Sequence, residues 1–138
     1  LIVAGAVFLV APTLSLSANL RAQEKVLPLQ ATAFLSQADL PKELFNSYNW
    51  GGFLIWQLYP RYQVFIDGRT YLYGDEVLDE YLKAYWASPR WKEPLERYGV
   101  NTILIERDST LATVLTESPD WQPVYADEVA VVFVREPH

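Results

Sequence analysis

The sequence of 138 residues contains no cysteine and only one histidine, His138, which is its last residue. Without cysteine the chain has no disulfides, no thiolate nucleophile and no cysteine-type zinc site. A terminal histidine is not held by neighbouring residues, so we expect neither a Ser-His-Asp triad nor a histidine-based metal site. Carboxylates are the remaining candidates for chemistry, and we expect no metal and no cofactor.

Basic side chains are also few. The chain has 11 Lys and Arg residues against 17 Asp and Glu residues, which gives a net charge of −6. Binding to nucleic acid depends on clustered Lys and Arg side chains that contact phosphates. We therefore expect no nucleic-acid partner.

The N-terminal part of the chain lacks charge. Residues 1–20 carry no charged side chain, and residues 1–11 are an unbroken apolar run. A helix that crosses a bilayer needs roughly 20 apolar residues. Because the chain begins with Leu rather than Met, we interpret it as a fragment in which residues 1–20 are the end of a transmembrane helix, residues 21–28 a connector and residues 29–138 a soluble domain. A buried core helix is an alternative, and so is a signal peptide, although the basic leading region of such peptides is not seen here.

Helical and strand patterns alternate along the soluble part. Hydrophobic spacing predicts helices over residues 29–40, 50–59, 75–86 and 94–98, and another that is capped by Asp108 or Ser109 and stops at Pro119. Strands are predicted over 43–46, 63–66 and 101–106, followed by a hairpin of 121–125 and 129–134. This order predicts an α/β fold with a mostly parallel twisted sheet, helices on both faces and a C-terminal antiparallel hairpin.

The predicted turns after the first three strands hold the candidate site. In open α/β sheets the ligand crevice lies outside the carboxyl ends of the strands, so these turns are expected at one rim. Aromatic rings beside a carboxylate and a guanidinium suit a sugar or a polar headgroup. The candidates are Tyr48, Asn49, Trp50, Gly51, Gly52, Asp67, Arg69, Tyr71 and also Glu106.

Structural interpretations of the same residues stay open. Asp67 and Arg69 can simply pair with each other or with the helix start at Trp50. Gly51 and Gly52 are poor helix formers, so they indicate the close approach of another backbone or of a ligand, or tight packing of the helix on the sheet.

Two further kinds of site are disfavoured. A dinucleotide fingerprint would read Gly-x-Gly-x-x-Gly after the first strand, whereas residues 48–52 place bulky rings where a pyrophosphate needs bare backbone. Residues 75–80 contain four carboxylates, which we interpret as a solvated, acidic helix start rather than a divalent-ion site.

Several segments carry a family resemblance. They are residues 45–54 (FNSYNWGGFL), 64–69 (VFIDGR) and 97–100 (RYGV), then Trp121 and residues 131–135 (VVFVR). Through them the chain resembles, over roughly residues 34–135, the C-terminal extracytoplasmic domain of polytopic membrane glycosyltransferases of the C-type superfamily, which use lipid-linked sugars and include protein mannosyltransferase-like proteins.

A more distant likeness is to the Trp-Trp-Asp-Tyr-Gly motif of the oligosaccharyltransferase catalytic subunit, which helps to hold the acceptor peptide. Residues 47–51 would take those places, with Asn49 in place of the acid and Gly51 as the identical residue.

The resemblance implies that a sugar is transferred from a polyprenyl-phosphate carrier in a membrane part of the same polypeptide. The acidic residue used there would lie outside this fragment, which alone would be inactive. The domain would lie on the extracytoplasmic side of the cell membrane and shape the access of a glycan or polypeptide acceptor. A non-catalytic module that binds sugar or protein, and a structural cap, are the alternatives.

Overall fold

The computed structural model describes residues 18–19, 21–23 and 25–137. Apart from residues 18–19, the predicted transmembrane segment at 1–20 lies outside the described residues. Among those that are described, no helix has both the length and the apolar character that a bilayer crossing requires.

Helices and strands alternate as predicted. The helices are α1 (Leu29–Gln37), α2 (Gly51–Leu58), α3 (Gly74–Tyr85), α4 (Lys92–Arg97) and α5 (Thr110–Glu117). The strands are β1 (Glu43–Asn46), β2 (Gln63–Val64), β3 (Thr102–Glu106), β4 (Trp121–Ala126) and β5 (Ala130–Arg135). Short 3₁₀ turns at Tyr48–Trp50 and Thr70–Leu72 precede α2 and α3.

The five strands form one sheet in the order β2-β1-β3-β5-β4. β1 is parallel to both β2 and β3, whereas β5 is antiparallel to both β3 and β4. The predicted fold class is confirmed, including the C-terminal antiparallel hairpin. β5 is the hairpin strand that joins the parallel part, so β4 forms the edge, where its register shifts between Pro123 and Tyr125.

Apolar residues alternate between the two faces of the sheet, as the two-residue period of a strand requires. In β3, Ile103 and Ile105 lie in the core under α3, α4 and α5, while Leu104 lies in the core under α1 and α2. β1 divides in the same way, with Phe45 in the first core and Leu44 in the second. The predicted helices on both faces are therefore confirmed.

The path of the chain creates a switch point between β1 and β3. The chain leaves β1 through α2 on one face to reach β2, and returns through α3 and α4 on the other face to reach β3. The turn after β1 therefore leads to one face, while the turn after β3 leads to α5 on the other. Where neighbouring turns diverge in this way, an open α/β sheet has its crevice.

Several element boundaries differ from the predictions by one to three residues, and the ends of α1 and β2 are two of them. α1 ends at Gln37 rather than at residue 40, because Ala38 is already extended with ψ 146°. β2 pairs only over Gln63–Val64 instead of 63–66, because a side chain takes over the pairing at its end.

That side chain is Asn46, which is fully buried at the end of β1. Its Oδ1 accepts from the backbone N–H of Phe65 at 2.9 Å, and its Nδ2 donates to the carbonyls of Ile66 and Ser47, each at 2.9 Å. Asn46, Ser47 and Asn49 are residue types that favour a helix N-cap, and the sequence on its own predicts that their side-chain oxygens cap the following helix. That prediction is wrong, since the Tyr48–Trp50 turn and α2 have no side-chain cap.

Gly51 allows the close backbone approach that the sequence indicated. A Cβ at this position would overlap the Ile66 carbonyl oxygen and lie 2.7 Å from the Asp67 Cβ. A Cβ on Gly52 would meet nothing within 4 Å. The first glycine is thus needed where α2 passes the end of β2, and the second is not.

The two glycines form a matched pair for a stability test. We expect Gly51→Ala to lower the free energy of unfolding by about 1–3 kcal/mol, since backbone must move to admit the methyl group. Gly52→Ala should raise it by up to about 1 kcal/mol, because alanine is the better helix former. Urea unfolding followed by circular dichroism measures both, and equal effects of the two substitutions would contradict the packing described for Gly51.

Candidate functional site

A crevice opens at the switch point between the turns that follow β1 and β3. Its volume is about 590 Å³, and the connector and the β4–β5 turn complete its walls. We call it the polar crevice, and its lining residues are Lys25, Val26, Asn49, Trp50, Glu106, Arg107, Asp108, Glu128 and Val129.

A second cleft, of about 470 Å³, lies on the α3 side of the same turn. We call it the aromatic cleft, and it is lined by Ser47, Tyr48, Asn49, Leu78, Tyr81, Leu82, Tyr85 and Trp86. Asn49 lines both clefts and is exposed. The two clefts therefore meet at the turn after β1.

Glu106 lies between the clefts with both carboxylate oxygens engaged. The hydroxyl of buried Ser47 donates to Oε1, and the hydroxyl of Tyr85 donates to Oε2 at 3.4 Å. Burial, and then the negative charge of Glu106, raise the pKa of Tyr85, so this phenol keeps its proton at neutral pH. Glu106 is thereby held in a fixed orientation at the end of β3.

The turn after β1 is also anchored to α3. The backbone N–H of Tyr48 donates to the hydroxyl of Tyr81 at 2.8 Å. Burial raises the pKa of Tyr81, whose ring stacks on Phe45 at 5.1 Å and on Tyr85 at 5.5 Å between ring centroids. This aromatic stack fixes the height of the turn above the sheet.

Trp50 belongs to the core rather than to the open surface. It is 2% exposed, and its Nε1 donates to the carbonyl of Val26 at 2.9 Å. Although Trp50 lines the polar crevice, its ring is packed in the core under α1 and α2 and is not free to stack on a ligand. Its bond instead fastens the connector to the rim of the sheet.

Asp67 and Arg69 are paired with each other. Nη2 of Arg69 lies 2.6 Å from Oδ2 of Asp67, and the backbone N–H of Arg69 donates to Oδ1 at 2.8 Å. The Arg69 guanidinium lowers the pKa of the Asp67 carboxyl to about 2. Burial, and then a hydrogen bond with Asp67, raise the pKa of Tyr73.

The pair lies at the same rim but outside the two clefts. Asp67 is buried against Gly51, while Arg69 is half exposed and Tyr71 is 82% exposed. The predicted set thus separates in the structure: Tyr48, Asn49 and Trp50 border the clefts beside Glu106, whereas Asp67, Arg69 and Tyr71 do not.

Sequence reasoning missed several residues of this region. Lys25 and Glu128 line the polar crevice because the connector is bonded to Trp50 and β5 pairs with β3, and no local pattern reveals either contact. Tyr81 and Tyr85 lie within the predicted helix of residues 75–86, whose apolar spacing does not reveal the hydrogen bonds of their hydroxyls. Asn46 had a usable signal, since a polar residue at the end of a buried strand needs a hydrogen-bond partner.

Within the described ranges, no group of three or more His, Cys, Asp or Glu side chains is arranged to hold a metal ion. The acidic start of α3 forms no such cluster. Glu80 on this helix instead pairs with Arg97 at 3.3 Å.

The chain was compared with known families, curated proteins and solved structures. No protein-family model matches it. No curated protein matches it in sequence either. Its fold is similar to the C-terminal globular domain of an oligosaccharyltransferase from Archaeoglobus fulgidus, with a TM-score of 0.59, 8% identity and coverage of 78% of this chain and 95% of that one. At this identity the likeness shows the fold alone.

The burial of Trp50 leads to a stability prediction. We expect Trp50→Ala to lower the free energy of unfolding by about 3–5 kcal/mol, because it empties a core position. Trp56 is 79% exposed on α2 and provides the control. Trp56→Ala should change the unfolding free energy by less than about 0.5 kcal/mol, and urea unfolding that gave similar losses for both would contradict the assignment.

The ion pair leads to a pH prediction. The pKa of Asp67 is about 2 in the folded chain, against about 3.9 for an unfolded aspartate. Its contribution to stability is therefore present above about pH 4 and is lost as the pH falls through about 2. We expect Asp67→Asn to lower the unfolding free energy by about 1–2 kcal/mol at neutral pH, with the difference from the unsubstituted chain shrinking across that interval.

Asp39 provides the control for this measurement, because its carboxylate is 97% exposed and pairs with Lys42 at 3.2 Å. Asp39→Asn should change the unfolding free energy by less than about 0.5 kcal/mol both at neutral and at low pH. A loss for Asp67→Asn that stayed constant from neutral to low pH would show that charge is not its cause.

Proposed function

We propose that this chain is the C-terminal soluble domain, with its preceding membrane anchor, of a membrane glycosyltransferase that uses a polyprenyl-phosphate-linked sugar. The observation that carries the proposal is the likeness of fold to an oligosaccharyltransferase C-terminal domain, which this chain matches over nearly that domain's whole length. The segments that carried the sequence resemblance include β1, the turn after it and the end of β2, which build the rim.

In this proposal the domain shapes the access of a glycan or polypeptide acceptor. The polar crevice presents three acidic side chains, Glu106, Asp108 and Glu128, and two basic ones, Lys25 and Arg107. Exposed Asn49 adds an amide that both donates and accepts. Such a mixture suits sugar hydroxyls or peptide groups, which also combine donors with acceptors.

Catalysis is assigned to a membrane part of the same polypeptide. Both oxygens of Glu106 accept from hydroxyls of the chain itself, which favours a positioning role over proton transfer to a substrate. A general acid or base needs a free oxygen within hydrogen-bond reach of the reacting group. Residues 1–20 would then be the end of a transmembrane helix, with the domain on the extracytoplasmic side.

The experiment is a glycosyl-transfer assay on the membrane protein that contains this domain, with a polyprenyl-linked sugar as donor. We expect Asn49→Ala to lower kcat/KM for the acceptor about tenfold, equivalent to roughly 1.4 kcal/mol, by raising KM. Gln122→Ala, at an exposed position on β4, is the control and should leave both constants unchanged. No transfer by the unsubstituted protein, or equal rates for the Asn49 and Gln122 variants, would refute the proposal.

A further inference from the structure

The connector is attached to the rim that holds the two clefts. The carbonyl of Val26 accepts from Nε1 of Trp50 at 2.9 Å, and Lys25 and Val26 both line the polar crevice. The connector is itself turned, since the N–H groups of Val26 and Leu27 donate to the carbonyl of Gln23 at 3.1 and 2.8 Å. The chain therefore reaches the domain at the carboxyl ends of the parallel strands.

Only a short stretch separates this attachment from the uncharged segment. That segment ends at residue 20, six residues before Val26. Six residues span at most about 20 Å even when fully extended. If residues 1–20 end a membrane span, the rim lies within about that distance of the bilayer surface.

The same rim carries exposed apolar side chains. Trp86 and Leu82 line the aromatic cleft and are 59% and 39% exposed. The indole of Trp86 is braced edge-on by Tyr85, with 5.0 Å between ring centroids. Tryptophan is enriched where a protein meets the bilayer interface, because its ring is apolar and its N–H is polar.

The charge of the rim favours a neutral lipid surface. The polar crevice combines three acidic with two basic side chains, and the whole chain has a net charge of −6. An anionic leaflet attracts clustered Lys and Arg, which this rim does not present among its described residues. Zwitterionic headgroups carry both charges and match a nearly balanced rim.

We propose that the rim rests on the bilayer, with Trp86 and Leu82 in the zwitterionic headgroup region. This placement relies on the membrane anchor in the proposed function. The polar crevice would then open at the membrane surface, so an acceptor held there would lie beside the leaflet that carries the lipid-linked sugar.

The absence of cysteine makes a direct test possible. Single-cysteine variants Leu82→Cys and Trp86→Cys of the full chain are labelled with an environment-sensitive fluorophore and reconstituted into phosphatidylcholine vesicles. Trp56→Cys is the matched control, because Trp56 is 79% exposed on α2, which covers the opposite face of the sheet. Phe8→Cys reports on the anchor, and urea unfolding verifies that each variant is folded.

At positions 82 and 86 we expect lipids with a headgroup nitroxide to quench at least about twice as strongly as at position 56. Iodide in the water should quench the labels at positions 82 and 86 at least about twofold less than the label at position 56. Position 8 should be quenched by a nitroxide on the acyl chain, because a membrane span lies among acyl chains.

The other outcomes are distinguishable. The label at position 8 can be quenched by the acyl-chain nitroxide while the labels at positions 82 and 86 are quenched to the same extent as the label at position 56. That result would support the membrane anchor and show that the placement of the rim is wrong. Shielding of positions 82 and 86 from both lipid and water would indicate a protein contact and would also overturn it. If the acyl-chain nitroxide does not quench the label at position 8, both the membrane anchor and the placement of the rim on the bilayer are wrong.

Discussion

The buried amide of Asn46 is the interaction on which the rest of the rim depends. It joins the end of β1 to Phe65 and Ile66 where backbone pairing with β2 stops. In doing so it holds the end of β2 in place, against which Gly51 packs. Removing one partner would leave buried polar groups unpaired, which costs more than the bond itself contributes.

The residues that follow Asn46 each contact a different part of the fold. Ser47 donates to Glu106 at the end of β3, Tyr48 donates through its backbone to Tyr81 on α3, and Trp50 donates to the connector. The turn is thus fixed from several sides, and Asn49 is left exposed between the two clefts. A binding group presented on such a turn is oriented before any ligand arrives, which lowers the ordering cost of binding.

Local patterns in the sequence were enough for the helices, the strands and the parallel core, because periodicity and helix stop signals act within a few residues. They placed β1 correctly and β3 within one residue. The contacts that decide the site act over long separations: Ser47 meets Glu106 across 59 residues, and Trp50 meets Val26 across 24. The sequence therefore indicated that the turns after β1 and β3 lie at one rim, but not that Asp67 would be buried behind Gly51 or that β5 would bring Glu128 to the crevice.

The two edge strands of the sheet, β2 and β4, are short or irregular, which affects whether a strand of another molecule can pair with them. β2 offers only two paired residues, and β4 has a register shift beside Pro123, which has no N–H to donate. Regular unpaired backbone is what allows one sheet to extend into another. Because both borders are short or irregular, the domain can expose aromatic side chains at its rim without also inviting strand addition and fibrous aggregation.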